Sequence, residues 1–362
     1  MTRRAEIEQV SKTPGTFSSS RPLATFAESS GPAIEIQRLI MLNMDPPQHT
    51  RQRGFVNRGF TPRMVARLEK HIKEICDGLI DDVAVRGTAE FVRDIAAPLP
   101  LYVICELMGA PVADRMGLFA LSSRLAGFDD PDFRTRPGER ALTAGAEMCA
   151  YARELAAQRR QQPRDDIVTR LLQPDNAGEV LSASEFEMFF MLLVVAGNET
   201  TRNAAAGGML AFFEHPGQWQ RLLADPGLIP TAVEEIIRWV SPANMLRRTA
   251  VRDTVLGGQR IAEGDKIVLF YSSANRDEDV FDNPFAFDIG RDPNTHVGFG
   301  GGGPHFCLGR HLAALELRVL FETIAERMPA IGLDGEVRRL RSNLINGIKE
   351  MPVRFDVMPP RR

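Results

Sequence analysis

Residues 299–309 read FGGGGPHFCLG, in which four glycines and a proline lead to one cysteine, Cys307. A run of helix-forming residues follows directly, at residues 310–316. This order predicts that the Cys307 sulfur lies at the N-terminus of a helix, where unpaired N–H groups and the helix dipole favour a thiolate over a thiol. The glycines also leave the backbone without Cβ atoms, so a broad, flat ligand has room to lie against it.

Haem fits that description, with Cys307 as the axial thiolate on iron. Other hypotheses stay open, because glycine-rich loops before helices more often bind phosphate and a single buried cysteine is often only a small apolar side chain. No Lys-Ser/Thr pair follows the glycines, which weakens a nucleotide site of the P-loop type. Zinc is weaker still, because Cys76, Cys105 and Cys149 have no CxxC or CxxH partner. The loop alone leaves haem ligation and an unrelated glycine-rich turn about equally supported.

The composition is that of a soluble globular protein, since 44% of the 362 residues are apolar and 25% are charged. A formal net charge of −3 gives no reason to expect broad binding to nucleic acid or anionic lipid. No apolar run approaches the roughly 20 residues of a membrane span, and the first residues, MTRRAE, lack the apolar core of a secretory signal. Four scattered cysteines fit a reducing compartment, so we expect a cytoplasmic protein.

Helical periodicity covers most of the chain, and strand patterns cover only a small part of it. The predicted helical segments are 61–86, roughly 94–109, two helices that flank a loop over 125–138, and the longest one, from 182 to about 214. The predicted strands are 249–256, 259–261, 267–270 and short stretches within 331–356. Ser182 and Glu185 have the spacing of a capping box at the start of the longest helix. We therefore expect a mainly α fold with a small β region, in which residues 1–362 form a single domain.

Residues 196–201, AGNETT, interrupt the apolar middle of the longest predicted helix. Burying an acid and hydroxyls there costs stability unless these groups are used or satisfied. Glu199 and Thr200 suit a helix that opens a pocket over a ligand and supplies a proton path. The alternative is a helix kink, in which the threonine bonds back to a carbonyl and Glu199 faces solvent.

Three further motifs are ambiguous when each is taken alone. Glu235 and Arg238 lie three residues apart on one helix face, a spacing that is common for surface pairs. His49 and Arg53, four apart on a predicted helix, project together and are able to clamp a carboxylate, although a solvated basic face is the commoner explanation. Arg248 is ambiguous in the same way.

Together and in this order, these motifs resemble those of the cytochrome P450 family. The family order is a helix with His-x-x-x-Arg, a long helix with Ala-Gly-x-Glu-Thr, then Glu-x-x-Arg, and last the glycine-rich cysteine loop. The resemblance implies the cytochrome P450 fold, with Cys307 as the proximal ligand of haem b. The implied haem-binding residues are His49, Arg53, Arg248 and His305 at the propionates, and Ala196, Phe299 and Gly300 at the ring. The implied ion-pair cluster that braces the cysteine loop is Glu235, Arg238 and Arg291.

The resemblance also implies a monooxygenase that inserts one oxygen atom of O₂ into a C–H bond of a hydrophobic small molecule. Glu199 and Thr200 would supply protons, and electrons would come from NAD(P)H through ferredoxin reductase and ferredoxin. The implied substrate-pocket walls are Leu192, Val195, Asn244, Leu246 and Ile345. Two alternatives remain: a haem-binding lipid carrier or sensor without oxygenase activity, and a haem-thiolate enzyme that uses peroxide.

Within the family, residues 34–38, 43–45, 196–203 and 346–349 are similar to one bacterial branch. That branch oxidises steroid (cholesterol) side chains and methyl-branched lipids at terminal carbons. Most family members have a phenylalanine seven residues before the cysteine; here that position is Gly300, and Phe299 is one residue further away. The first residues resemble the point where a strand passes into the family's second helix, so we expect the usual N-terminal helix and first strands to be absent.

Overall fold

A computed structural model of the chain describes residues 1–21, 24, 32–57, 60, 62–127, 130–133, 140–175 and 178–358. Helices make up most of these residues. The α-helices are α1 (Arg4–Lys12), α2 (Pro32–Arg38), α3 (Gln48–Asn57), α4 (Pro62–Ala66), α5 (Glu69–Ala84), α6 (Pro98–Leu107), α7 (Arg115–Ala126), α8 (Arg140–Gln161), α9 (Ile167–Leu171), α10 (Ala183–Glu214), α11 (Pro216–Ala224), α12 (Ile229–Val240), α13 (Tyr271–Ala274) and α14 (Arg310–Arg327).

The strands are short and form small antiparallel sheets. They are β1 (Phe17–Ser18), β2 (Thr88–Glu90), β3 (Met245–Ala250), β4 (Thr254–Leu256), β5 (Gln259–Ile261), β6 (Lys266–Phe270), β7 (Gly332–Leu333), β8 (Arg338–Arg339), β9 (Ile348–Glu350) and β10 (Pro352–Arg354). The sheet orders are β1-β3-β6 and β2-β10-β7, with two further pairs, β4-β5 and β8-β9. The prediction of a mainly α fold with a small β region is confirmed.

The observed elements differ from the predicted ones mainly where the chain turns. The segment predicted as one helix over 61–86 is two helices, α4 and α5, separated by a turn at Arg67 and Leu68; Thr61 lies outside the described residues. A π-helical turn, Val92–Ala96, precedes α6 because Pro98 has no N–H to continue the helix, and Gly109, with φ of +73°, follows its end.

The other two differences concern a strand and a loop. The strand predicted over 249–256 is divided between β3 and β4. The loop predicted over 125–138 lies between α7 and α8 and contains a 3-10 turn, Pro131–Phe133, while residues 128–129 and 134–139 lie outside the described residues.

Helix α10 is the central element of the fold. The predicted capping box forms, because the Ser182 hydroxyl accepts from the Glu185 amide at 3.2 Å and the Glu185 carboxylate accepts from the Ser182 amide at 2.9 Å. The 32 residues span about 48 Å at 1.5 Å per residue, and they pack against α6, α7, α8, α12 and α14. An apolar stretch such as the middle of α10 would be expected to be buried on every side, but Leu192, Val195 and Ala196 keep some exposure.

A fully buried ion pair lies on α12. Arg238 donates from Nε and Nη2 to the two carboxylate oxygens of Glu235, each at 2.7 Å, and both side chains have no solvent exposure. Arg291 adds a second cation, with Nε at 3.2 Å from Glu235 Oε2. The remaining Arg238 donors reach the carbonyl oxygens of Asn275 at 2.7 Å, Pro284 at 2.9 Å and Ala286 at 3.0 Å. These contacts satisfy the desolvated charges that burial would otherwise make costly.

Asn275 connects this ion pair to the start of the cysteine loop (residues 299–309). Its carbonyl oxygen accepts from Arg238, and its side-chain oxygen accepts from the Val297 amide at 2.7 Å. Its side-chain nitrogen donates to the Ser241 hydroxyl at 2.8 Å, just after α12 ends. Asn275 therefore links α12 to the segment that leads into the cysteine loop.

Helix α1 packs directly on the glycines of the cysteine loop. A Cβ at Gly301 would meet the Ile7 carbonyl oxygen at 2.8 Å and the Ser11 hydroxyl at 2.7 Å, and a Cβ at Gly303 would overlap the Ser11 carbonyl group. Gly303 also has φ of +71°, which disfavours any side chain. Gly300 also has a positive φ, of +100°, but a Cβ at this position would lie 3.9 Å from its nearest neighbouring atom. Gly301 and Gly303 therefore allow α1 to pack closely against the loop, whereas Gly300 leaves free space beside the backbone.

Within the described residues, no helix is both long enough and apolar enough to cross a bilayer.

The ion pair predicts a large stability difference between two neighbouring glutamates. Glu235→Gln removes the charge that neutralises buried Arg238, so we expect the free energy of unfolding to fall by about 3–5 kcal/mol. The control is Glu234→Gln on the same helix, because Glu234 is 44% exposed and contacts His296 at 2.8 Å; its cost should stay within about 1 kcal/mol. Urea unfolding followed by circular dichroism measures both, and equal losses would contradict the account.

Candidate active site

Two adjoining cavities, of about 310 and about 190 Å³, have Cys307 in their walls. Both are bounded by α10 and by the cysteine loop, and they share several lining residues. The shared residues are Leu42, Leu192, Ala196, Thr200, Thr201, His305, Cys307 and Ala313. The partial exposure of Ala196 and Leu192 on α10 is therefore exposure to a cavity, which explains why this apolar face is not packed.

The Cys307 sulfur faces these cavities from the start of α14. Its backbone amide donates to the Phe299 carbonyl oxygen at 3.0 Å, which closes the loop. Burial raises the pKa of the Cys307 thiol, and the Gly309 and Arg310 amides together with nearby Arg53 lower it only in part. The predicted helix N-terminus is present, but its N–H donors lower the pKa of the Cys307 thiol by less than burial raises it. A metal ion bound to the sulfur would add positive charge that favours the thiolate.

Four nitrogen-bearing side chains converge beside Cys307. The rings of His49 and His305 have centroids 4.2 Å apart, and both line the smaller cavity together with Arg53. Arg53 donates to the carbonyl oxygens of Pro304 at 2.9 Å and Phe306 at 2.6 Å. Buried Arg248 lines the larger cavity and donates to the carbonyl oxygen of its neighbour Arg247 at 2.8 Å.

These side chains leave positive charge without an ion-paired anion. Burial and nearby arginines lower the pKa of His49 to about 4 and that of His305 to about 2, so both imidazoles are neutral at neutral pH. Arg53 and Arg248 stay charged, and within the described residues neither forms a salt bridge with a carboxylate. The buried Nδ1 atom of His49 has no hydrogen-bond partner among these residues either. A flat ligand that carries carboxylates would complete this site, and haem with its two propionates is such a ligand.

Glu199 is buried and faces α7 instead of solvent. Its carboxylate forms an ion pair with Arg202 on the same helix and accepts from the Ser122 hydroxyl of α7 at 3.1 Å. Ser123, next in α7, accepts from Arg202 at 3.2 Å. The alternative in which Glu199 faces solvent does not match this geometry. The acid lines the larger cavity and at the same time fixes α7 to α10.

Thr200 lines both cavities, and its hydroxyl donates to the Ala196 carbonyl oxygen at 2.8 Å. This is the back-bond that the kink hypothesis anticipates, and it sits at a position that also faces the ligand space. Because the Thr200 hydroxyl already donates its one hydrogen bond to Ala196, its oxygen is available in the cavity as a hydrogen-bond acceptor.

Most of the predicted pocket walls line the larger cavity. These residues are Leu192, Val195, Leu246 and Ile345, and Phe299 and Gly300 of the cysteine loop join them. Asn244 lies outside the linings of both cavities. Its side chain accepts from the Ser272 hydroxyl at 2.8 Å and donates to the Asn343 carbonyl oxygen at 3.3 Å, so it holds neighbouring loops together.

Several residues near the site were not singled out from the sequence. Arg202 had a readable signal, because it lies three residues after Glu199 on one helix. Ser122 and Asn275 had none, since their roles depend on tertiary contacts. His296 donates to Glu234 at 2.8 Å, accepts from the Gly298 amide and lies against the Phe299 ring, with ring centroids 5.8 Å apart.

Comparison with known proteins gives the same picture. The family model described as Cytochrome P450 matches residues 227–328. A steroid C26-monooxygenase of Rhodococcus jostii is 44% identical over 353 residues, which are 97% of this chain and 74% of that protein. A methyl-branched lipid omega-hydroxylase of Mycobacterium tuberculosis is 43% identical over 357 residues, which are 98% of this chain and 83% of that protein.

A solved structure supports the fold. It is a Mycobacterium marinum cytochrome P450 in complex with pseudoionone, and it is similar with a TM-score of 0.92 at 39% identity, over 98% of this chain and 86% of that one. The resemblance to the family, and to its steroid- and lipid-oxidising branch, is confirmed. This chain belongs to the cytochrome P450 family and is a monooxygenase of the oxidoreductase class.

Proposed function

We propose that this enzyme oxidises the end of a steroid side chain or of a methyl-branched lipid, with Cys307 as the thiolate ligand of haem b. The observation that carries the haem assignment is the unbalanced charge of Arg53 and Arg248 beside a cysteine that faces a cavity. Haem with a thiolate ligand supplies activation of O₂ and insertion of one oxygen atom into a C–H bond.

The residues around Cys307 would hold the cofactor by charge and by shape. Arg53, Arg248, His49 and His305 would bind the two propionates through charge-assisted hydrogen bonds. Ala196 on α10 and the loop residues Phe299 and Gly300 would lie against the ring. Gly300 suits this contact because no protein atom crowds the space that a Cβ would occupy there.

Glu199 and Thr200 would manage protons beside the reacting atoms. The Thr200 hydroxyl donates its hydrogen bond to the Ala196 carbonyl oxygen. Its oxygen would therefore accept a hydrogen bond from a water or an oxygen species in the cavity. Glu199 would deliver protons once Arg202 and the α7 serines release its carboxylate.

The larger cavity suits a hydrophobic substrate. Its walls include Leu192, Val195, Leu246 and Ile345, so burial of hydrocarbon would drive binding. Relatives at 43–44% identity are named for a steroid and for methyl-branched lipids, which supports these two substrate classes. The apolar character of these four side chains favours a long aliphatic group near Cys307.

Electrons would come from NAD(P)H through ferredoxin reductase and ferredoxin, in the cytoplasm. Arg310 is exposed three residues after Cys307 and gives the surface a positive charge close to the sulfur. Such a charge suits docking of an acidic electron carrier, and it mainly affects the association rate.

The proposal predicts that Thr200→Ala uncouples electron consumption from product formation. Removing the hydroxyl takes away the hydrogen-bond acceptor in the cavity, so the ratio of product to NAD(P)H should fall several-fold while peroxide rises. Thr200→Ser keeps the hydroxyl and is the matched control, with coupling close to that of the unchanged enzyme. Coupling that is equal in the alanine and serine variants would remove Thr200 from the proton path.

The substrate class is tested with labelled dioxygen. Steroids, methyl-branched fatty acids and terpenoids are screened for a shift of ferric haem from low to high spin, and the binders are then turned over with ferredoxin, reductase and NAD(P)H. We expect one labelled oxygen atom at the terminal carbon of a steroid side chain or branched lipid. Binding without O₂ consumption would indicate a carrier or sensor, and product formed only with added peroxide would indicate a peroxide-using enzyme.

A further inference from the structure

His296 lies just before the cysteine loop and has no part in the proposals above. Its side chain is 4% exposed. Nε2 lies 2.8 Å from Oε2 of Glu234 on α12, and Nδ1 lies 3.1 Å from the backbone nitrogen of Gly298. The ring also packs against the ring of Phe299, with centroids 5.8 Å apart. One buried side chain therefore contacts α12, the segment that leads into the loop and the first residue of the loop.

These contacts fix which ring nitrogen of His296 carries the proton. The backbone N–H of Gly298 is a donor, so Nδ1 is the acceptor in this bond and has no proton of its own. The ring proton then lies on Nε2, which donates to the Glu234 carboxylate. A carboxylate that accepts from one ring nitrogen makes the other nitrogen a better acceptor, which strengthens the bond to the amide. Two partners therefore hold the ring in one orientation.

The segment that His296 holds is closely packed and leads directly to Cys307. A Cβ at Gly298 would meet Cγ2 of Ile237 at 2.6 Å, so this backbone lies against α12. The carbonyl oxygen of the next residue, Phe299, accepts from the Cys307 amide at 3.0 Å. A shift of the backbone at Gly298 would therefore move the carbonyl group that closes the loop at the cysteine.

The rest of the loop gives Phe299 little support. Residues 300–303 are all glycine, and a Cβ at Gly300 would lie 3.9 Å from its nearest neighbouring atom. Phe299 nevertheless lines the larger cavity together with Cys307. The His296 ring is one of the contacts that keep the phenylalanine ring in this place.

We propose that His296 is a positioning residue for Cys307. Its bond to the Gly298 amide and its contact with Phe299 set where the cysteine loop begins, and so how well the sulfur is screened from water and from other donors. The proposal rests on the assignment of Cys307 as the haem thiolate, whose potential depends on hydrogen bonds near the ligand and on solvent exposure. Loss of the acceptor would let the loop open and water reach the sulfur. A hydrogen-bonded thiolate donates less charge to iron, which favours the ferrous state.

Two variants of similar size isolate the bond to the Gly298 amide. His296→Asn keeps an acceptor oxygen at the position of Nδ1, whereas His296→Leu has no acceptor there. The control is His215→Leu. The His215 ring also packs against aromatic side chains and bonds to a backbone group, the Ala211 carbonyl oxygen at 2.9 Å, but it lies outside the linings of both cavities.

The first readout is the ferric-to-ferrous ratio of the haem-loaded proteins, measured at the midpoint potential of the unchanged enzyme. We expect His296→Leu to shift this ratio several-fold toward ferrous iron and His296→Asn to restore most of the original value. His215→Leu should leave the ratio as it is. In the reduced complex with carbon monoxide, the band of thiolate-ligated haem should disappear several-fold faster in His296→Leu than in the unchanged enzyme.

The second readout is the position of the ring proton, which does not depend on turnover. Protein labelled with ¹⁵N-histidine is studied by nuclear magnetic resonance as the diamagnetic reduced complex with carbon monoxide, and the signals lost in His296→Leu identify His296. We expect a neutral ring that is protonated at Nε2. If His296→Leu does not fold or load haem, His296→Phe takes its place in both measurements, since it keeps a ring against Phe299 and has no acceptor.

The two levels of the account fail in different ways. A His296 ring protonated at Nδ1 overturns the positioning role, because that ring does not accept from Gly298. The same conclusion follows if His296→Leu keeps the ferric-to-ferrous ratio of the unchanged enzyme, or if the asparagine and leucine variants shift it equally. An unchanged enzyme that lacks the band of thiolate-ligated haem overturns the assignment of Cys307, and the role of His296 with it.

Discussion

The buried ion pair between Glu235 and Arg238 is the interaction on which the site depends. The buried Glu235 carboxylate accepts hydrogen bonds from two arginines, Arg238 and Arg291. Arg238 also donates to backbone carbonyl oxygens of the segment that precedes the cysteine loop. Charges in such a place are stable only when every donor and acceptor has a partner, so the pair dictates where that segment lies. Asn275 then extends this constraint to Val297, two residues before Phe299.

The protein treats its buried arginines in two contrasting ways. Arg238 is neutralised by Glu235 and fully hydrogen-bonded within the chain, which is what a structural brace requires. Arg53 and Arg248 face cavities and donate to backbone carbonyls, so their charge is left for a bound anion. The same residue type serves the framework in one place and the proposed cofactor site in the other. The difference is whether a carboxylate among the described residues forms an ion pair with the arginine.

Local chemistry explains which features were predictable from the sequence. The capping box of α10, the cysteine before α14 and the spacing of Glu235 and Arg238 depend on neighbours in sequence, and all three are present. Helical periodicity does not distinguish a residue that packs in the core from one that faces a cavity, so the exposed side of α10 was missed. The close approach of α1 to Gly301 depends on segments far apart in sequence and was not predictable.

The central claim is that Cys307 is the thiolate ligand of the haem, and one spectrum tests it most directly. The purified enzyme is reduced, exposed to carbon monoxide, and compared with the reduced sample that lacks the gas. The account predicts a Soret band at the long-wavelength position typical of haem with a thiolate ligand. A band at the position typical of histidine-ligated haem, in protein that is folded and loaded with haem, would contradict it.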